Sequence, residues 1–125
     1  MKLGRGGLSD VEWTVQLLQL QHAHDHLGLR TPETLRALEA AVDAELVSAA
    51  QAAPLTNAWR LASGVRNASM LVRGRPSDSL PTQPRDRKGV AFLCGYDMSE
   101  AGRLGEDYLR VARRARAAVD QVFWS

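Results

Sequence analysis

Ala101, Leu104, Tyr108, Val111, Ala115, Ala118 and Val122 recur at alternating intervals of three and four residues, and that spacing leaves a chain few ways to fold. Seven such positions line one side of a helix and form an apolar seam along a bundle. Upstream, Ala58, Leu61, Ala62, Val65, Ala68, Ser69 and Val72 repeat in the same way, and their small size permits close helix approach. No segment offers a convincing partner strand, and a lone strand has nowhere to pair. The pattern predicts an all-α fold, a five-helix bundle with long first, third and last helices.

The first helix is expected from Ser9 to about His24, with Ser9 as N-cap, Glu12 closing a capping box and Leu8 stapled to Trp13. Val11, Val15, Leu18 and His22 share one face, and Trp13, Leu17 and Leu20 the next, so it should be the central, most buried helix. Glu12, Gln16 and Gln19 form its only polar stripe, which reads as a surface given to another domain or as a solvated face. Thr31-Pro32-Glu33 supplies a cap, an N1 proline and an acid for a second helix to about Glu45, burying Leu35, Leu38 and Val42. Ser48 caps the third, in which Pro54 either kinks the helix or marks its true start. Residues 73–84 form an internal loop dense in Gly, Pro and Ser, where Arg73 and Arg75 read as partners of local acids such as Asp78 ahead of phosphate ligands. A fourth helix, about Arg85 to Leu93, stops at Gly95. Ser99 caps the last, which runs to about Phe123 with Arg103–Asp107, Glu106–Arg110 and Arg116–Asp120 spaced for self-pairing.

A chain of 125 residues, 45% apolar and 24% charged, supports one hydrophobic core and hence one helical domain, 1–125. No apolar run approaches the ~20 residues of a membrane span and no signal peptide is evident, so the cytoplasm is the expected compartment. The single cysteine, Cys94, reads as a buried hydrophobe. Residues 1–62 hold five basic and seven acidic side chains, and the remainder eleven basic and seven acidic. That basic half is interleaved with acids and poor in aromatics for stacking, which points away from nucleic acid. His22, His24 and His26 cluster without a convincing third metal ligand, and no metal site is expected.

The chain opens on a glycine-rich entry loop, residues 1–8, directly before a helix. Lys2, Arg5 and the amides of Gly6 and Gly7 there meet the positive end of a helix dipole, an arrangement that favours an anion. The bland reading is a loop that cradles nothing. Asp10 and Glu12 imitate the paired carboxylates of a magnesium site, but on a helix two residues diverge by about 200°, so the pair is not a metal site.

Lys2, Gly4, Gly6, Gly7, Leu8, Asp10, Val11, Glu12, Trp13 and Gln16 match the pattern Lys-x-Gly-x-Gly-Gly-(Ile/Leu)-x-(Asp/Glu)-(Ile/Val)-Glu-(Phe/Trp)-x-x-Gln. This segment resembles the bacterial bifunctional glutamine synthetase adenylyltransferases. The stretch Val65 to Pro81 and the Arg-rich last helix also resemble the ends of high-Arg versions of those proteins. In that family the pattern opens the helical domain after a nucleotidyltransferase domain, and it occurs twice. Ending at Phe123-Trp-Ser125, the chain resembles the second copy, in the adenylylating half, and is expected to be a C-terminal fragment of a larger enzyme. The family has an acid before the motif lysine where this chain has Met1.

The resemblance implies a full-length enzyme that uses ATP and Mg²⁺ to transfer AMP to a tyrosine of glutamine synthetase and removes it by phosphorolysis, under control of glutamine and the PII signal protein. Its metal-binding carboxylates lie in the preceding domain, so this fragment is expected to hold no catalytic residue or cofactor and to be inactive alone. Lys2, Arg5, Gly6 and Gly7 would border the nucleotide cleft, and Glu12 and Gln16 would meet the catalytic domain. The alternatives are a regulatory docking module for PII or glutamine synthetase, using the exposed Arg face, and an independent small nucleotidyltransferase, which would need a sheet.

Overall fold

A computed structural model describes residues 8–75, 80–81 and 83–124. Among them there are five α-helices and no strand: α1 (Leu8–His22), α2 (Thr34–Asp43), α3 (Ala49–Arg73), α4 (Pro84–Leu93) and α5 (Ala101–Trp124). One-turn 3₁₀ segments at Leu27–Leu29 and Met98–Glu100 precede α2 and α5. The all-α expectation holds, and the sheet that an independent nucleotidyltransferase would need is absent from the described residues.

The two seams read from the sequence pack on each other. Ala58, Ala62 and Val65 of α3 and Leu104, Tyr108, Ala115 and Ala118 of α5 are buried, and the alanines bring the two long helices close. The α3–α5 pair runs through two apolar clusters. One joins α1, α2, the first half of α3 and the end of α5; the other joins the second half of α3, α4 and the start of α5. Trp59 packs against both. The central helix is therefore α3, not α1. Only one side of α1 is covered, and Trp13 and Leu20 stay 52% and 80% exposed although their positions read as core.

Local chemistry explains where the elements begin and end. Ser48 accepts from the Gln51 amide while Gln51 Oε1 accepts from the Ser48 N–H, both at 3.1 Å, a complete capping box. From that start α3 runs through Pro54, so proline does not mark the beginning. Ala50, whose carbonyl loses its usual donor there, is exposed, and water can serve it. Gly74 closes α3 in the left-handed region at φ 75°, and Gly95 turns the chain after α4 at φ 96°.

Three expected caps are displaced. Helix α1 already includes Leu8, so Ser9 lies inside it. Thr31 uses its hydroxyl to accept from the Glu33 amide at 3.2 Å, holding a turn that delays α2 to Thr34, and Pro32 is outside the helix. Ser99 sits within the 3₁₀ turn whose N-cap is Asp97, so it does not open α5.

The charge pairs on α5 are also rearranged. Arg103 binds Glu100 at 2.9 Å and Arg110 binds Asp107 at 2.8 Å, rather than Arg103–Asp107 and Glu106–Arg110, while Arg116–Asp120 forms at 3.4 Å as expected. The reason lies across the 95–97 turn: the Tyr96 hydroxyl donates to Asp107 Oδ2 and draws that carboxylate from Arg103. Burial first, and then the Asp107 carboxylate, push the Tyr96 phenol up from 10.0 to about 12. Below pH 10 Tyr96 is neutral in both states and stability is intact. Between pH 10 and 12 it ionises in the unfolded chain first, so stability falls as pH rises. Tyr96→Phe should lower the urea midpoint at pH 9, through a lost hydrogen bond worth about 1 kcal/mol, yet make the decline from pH 9 to 11 shallower. An unchanged slope would refute this account.

Half-buried Cys94 packs at the edge of the second cluster, and burial pushes its thiol up from the ordinary value. It packs as a hydrophobe, half-buried where the sequence reading had it buried. No helix among the described residues is long and apolar enough to cross a membrane.

Candidate functional site

The polar residues of α1 point in two different directions of use. Gln19 donates from Nε2 to the carbonyls of Leu29 (2.8 Å) and Thr31 (2.7 Å), and so ties the connection before α2 to α1. Arg30 reinforces it by donating from Nε to the Ala23 carbonyl at 3.0 Å. Gln19 is thus a structural fastener and not part of a free stripe. The result is that the N-terminal turn of α2 stands beside Glu12 and Gln16, one to two helical turns before Gln19.

Together they line a groove of about 570 Å³, walled by Glu12 and Gln16 of α1, Pro32 to Leu35 at the start of α2, and Trp59 of α3. Glu12 and Trp59 are half-buried and Gln16 is exposed. Among the described residues Glu12 and Gln16 have no hydrogen-bond or ion-pair partner. Glu33, by contrast, is engaged by Arg36 Nε at 2.8 Å and makes no side-chain cap for α2. A groove lined by an indole, with a carboxylate and an amide that no described residue engages, is a surface that a polar partner can complete.

The groove continues onto open apolar surface. Trp13, Gln16 and Leu20 follow one another at intervals of three and four on α1, and Trp13 meets Phe123 edge-on with ring centroids 6.4 Å apart.

Lys2, Arg5, Gly6 and Gly7 lie outside the described residues, immediately before α1. Asp10 and Glu12 both sit on a helix, as the sequence reading required for rejecting them as a magnesium pair. Helix α1 ends at His22, whose ring meets that of His26 edge-on at 6.5 Å, and His24 rests against exposed Asp25. Among the described residues no three His, Cys, Asp or Glu side chains are grouped to hold a metal ion. Sequence reasoning singled out Glu12 and Gln16 but missed Trp59 and the start of α2. Only their distant positions in the chain join them to α1, and no local pattern carries that information.

The family model described as GlnD PII-uridylyltransferase matches residues 1–123. A bifunctional glutamine synthetase adenylyltransferase/adenylyl-removing enzyme of Streptomyces coelicolor is 54% identical over 124 residues, covering 99% of this chain and 12% of that protein. Proteins of the same description from Mycobacterium avium and Cutibacterium acnes are 50% and 48% identical, over 99% and 100% of this chain and 12% and 13% of theirs. The chain thus spans about one-eighth of the length of these relatives. No solved structure matches it. With nearly its whole length matched, the chain belongs to the GlnD PII-uridylyltransferase family, among relatives described as glutamine synthetase adenylyltransferases.

Proposed function

We propose that this chain is the helical domain that follows the adenylylating nucleotidyltransferase domain of a glutamine synthetase adenylyltransferase. In the whole enzyme, ATP and Mg²⁺ would supply the AMP group and its charge neutralisation, and a tyrosine of glutamine synthetase would accept it. The observation that carries the reading is 54% identity over 99% of the chain to a protein of that description. In this reading the ion is held by carboxylates of the preceding domain.

Within that reading the chain positions rather than reacts. Lys2, Arg5 and the Gly6 and Gly7 amides border the nucleotide cleft and make charge-assisted contacts to phosphate. Glu12 and Gln16 fix α1 against the catalytic domain, with the neighbouring Trp13 and Leu20 supplying apolar contact. That Glu12 and Gln16 have no hydrogen-bond or ion-pair partner among the described residues supports this role. Control by PII and a cytoplasmic location belong to the same proposal.

The test is a Glu12→Ala, Gln16→Ala double variant, assayed both in the intact enzyme and as the 125-residue chain. Adenylylation should fall on the order of tenfold, equivalent to about 1.4 kcal/mol of lost positioning, while the melting temperature of the chain is unchanged. Equal rates for variant and parent would remove the interface role. A lowered melting temperature would instead make the two residues structural.

A further inference from the structure

On the side of the molecule formed by α3 and α4, a second surface has no part in the function proposed above. Between residues 60 and 93 the sequence holds seven basic side chains and two acidic ones. Among the described residues, Arg60, Arg85 and Lys88 have no ion-pair partner, whereas Arg103, Arg110 and Arg116 on α5 each have one. Arg60, Arg85 and Lys88 are all exposed, so their charges stand open at this surface.

The same surface exposes large apolar side chains from two rigid helices. Leu71 is 76% exposed, Phe92 60% and Leu93 48%. On α4, Arg85, Lys88, Gly89, Phe92 and Leu93 fall at i, i+3, i+4, i+7 and i+8, a single helical face. On α3, Arg60, Gly64, Asn67 and Leu71 follow four-three-four spacing and form a parallel strip. The strips adjoin because the helices run antiparallel in close contact: a Cβ on Gly64 would stand 3.9 Å from Cys94 Sγ, and one on Gly89 3.2 Å from Val72 Cγ2. That register sets Val72 against Gly89, with exposed Leu71 next to Val72 on α3 and exposed Phe92 and Leu93 at the end of α4.

We infer that this α3–α4 face docks an acidic, amphipathic protein helix. Apolar side chains of the partner, spaced at i, i+3, i+4 and i+7, would pack against Leu71, Phe92 and Leu93, and its flanking carboxylates would meet Arg60, Arg85 and Lys88. Charge complementarity selects the sign of the partner. The split of the apolar residues between two helices, interrupted by Asn67 and Gly89, selects a protein ridge over a bilayer, which takes one continuous apolar helix face. Nucleic acid would leave Leu71 and Leu93 uncovered and find a single aromatic ring to stack on. A second copy of the same face would bring like charges together.

Fluorescence anisotropy tests the inference with the chain and a labelled peptide of about 18 residues, or five turns, carrying Leu in that spacing and Glu elsewhere. A scrambled peptide of the same composition is the control. The ordered peptide should bind on the order of tenfold more tightly than the scrambled one, a difference of one decade in Kd. Arg85→Glu with Lys88→Glu should weaken it by at least as much, and Leu71→Gln with Phe92→Gln should abolish the preference for the ordered peptide. All four positions are exposed, and circular dichroism will confirm that the variants keep their helices. Equal binding of the two peptides, or none, would overturn the inference. So would tighter binding to anionic vesicles or to single-stranded RNA, or self-association that Leu71→Gln with Phe92→Gln removes.

Discussion

Tyr108→Ala should cost about 3–5 kcal/mol, the range for deleting a buried aromatic side chain, and will be read as a fall in the urea midpoint of the chain. Tyr108 is fully buried in the middle of α5 and leads the fully buried side chains in volume. Its cluster includes Ala62, Ala68, Ala91, Ala101 and Ala112, whose methyl groups cannot move in to fill the space. The void would therefore persist, and the lost contacts would add to the lost transfer energy. A domain of this size typically has about 6–19 kcal/mol in all, so a large share of its stability rests on one ring. Tyr108→Phe separates ring from hydroxyl and should lose no more than about 1.5 kcal/mol. Because α3 and α5 run through both apolar clusters, the loss should appear as one earlier transition rather than two. A cost below about 1 kcal/mol would mean that α5 collapses onto α3, and that the alanine seam is not rigid.

How much of this molecule could be read beforehand depends on whether the signal is local. Five of the seven α5 seam positions are buried as the spacing implies and Val111 and Val122 are half-buried, because helical periodicity needs only the chain's own neighbours. Ser48 with Gln51 is equally local, and both halves of its capping box form. Thr31 and Ser99 carry the same cap chemistry and do not cap, for reasons that sit outside their own windows. The backbone at Asp97 is already extended and starts a 3₁₀ turn, and the Thr31 hydroxyl is taken by the Glu33 amide. Apolar content misidentified the central helix for a related reason. Helix α1 is apolar around most of its circumference, but α2 and α3 cover only part of it; the proposed domain contact gives Trp13 and Leu20 a reason to be there. Gln19 looked like Glu12 and Gln16 in the sequence. Bonds reaching ten and twelve residues along the chain set it apart, and the same fold brings Trp59 to the groove that Glu12 and Gln16 line.

In the intact enzyme, Arg5→Ala is expected to lower adenylylation about 100-fold, the scale on which a single charge-assisted donor to a transferring group acts. Arg5 lies outside the described residues, and the expectation rests on its place between Gly4 and Gly6, three residues before α1 begins. There a guanidinium, two glycine amides and the positive end of a helix dipole all favour the negative charge of a phosphate. Arg5→Lys keeps the charge but loses the two-pronged donor geometry, so it should recover only part of the rate. The melting temperature should not move, because the residue precedes every element of the two clusters. The relatives are described as both adenylylating and adenylyl-removing, which supplies an internal control. If this loop serves the adenylylating half alone, removal of AMP should proceed at the parental rate in the same variant. Loss of both activities together would make Arg5 a general structural residue, and retention of both would leave the glycine-rich loop without a ligand.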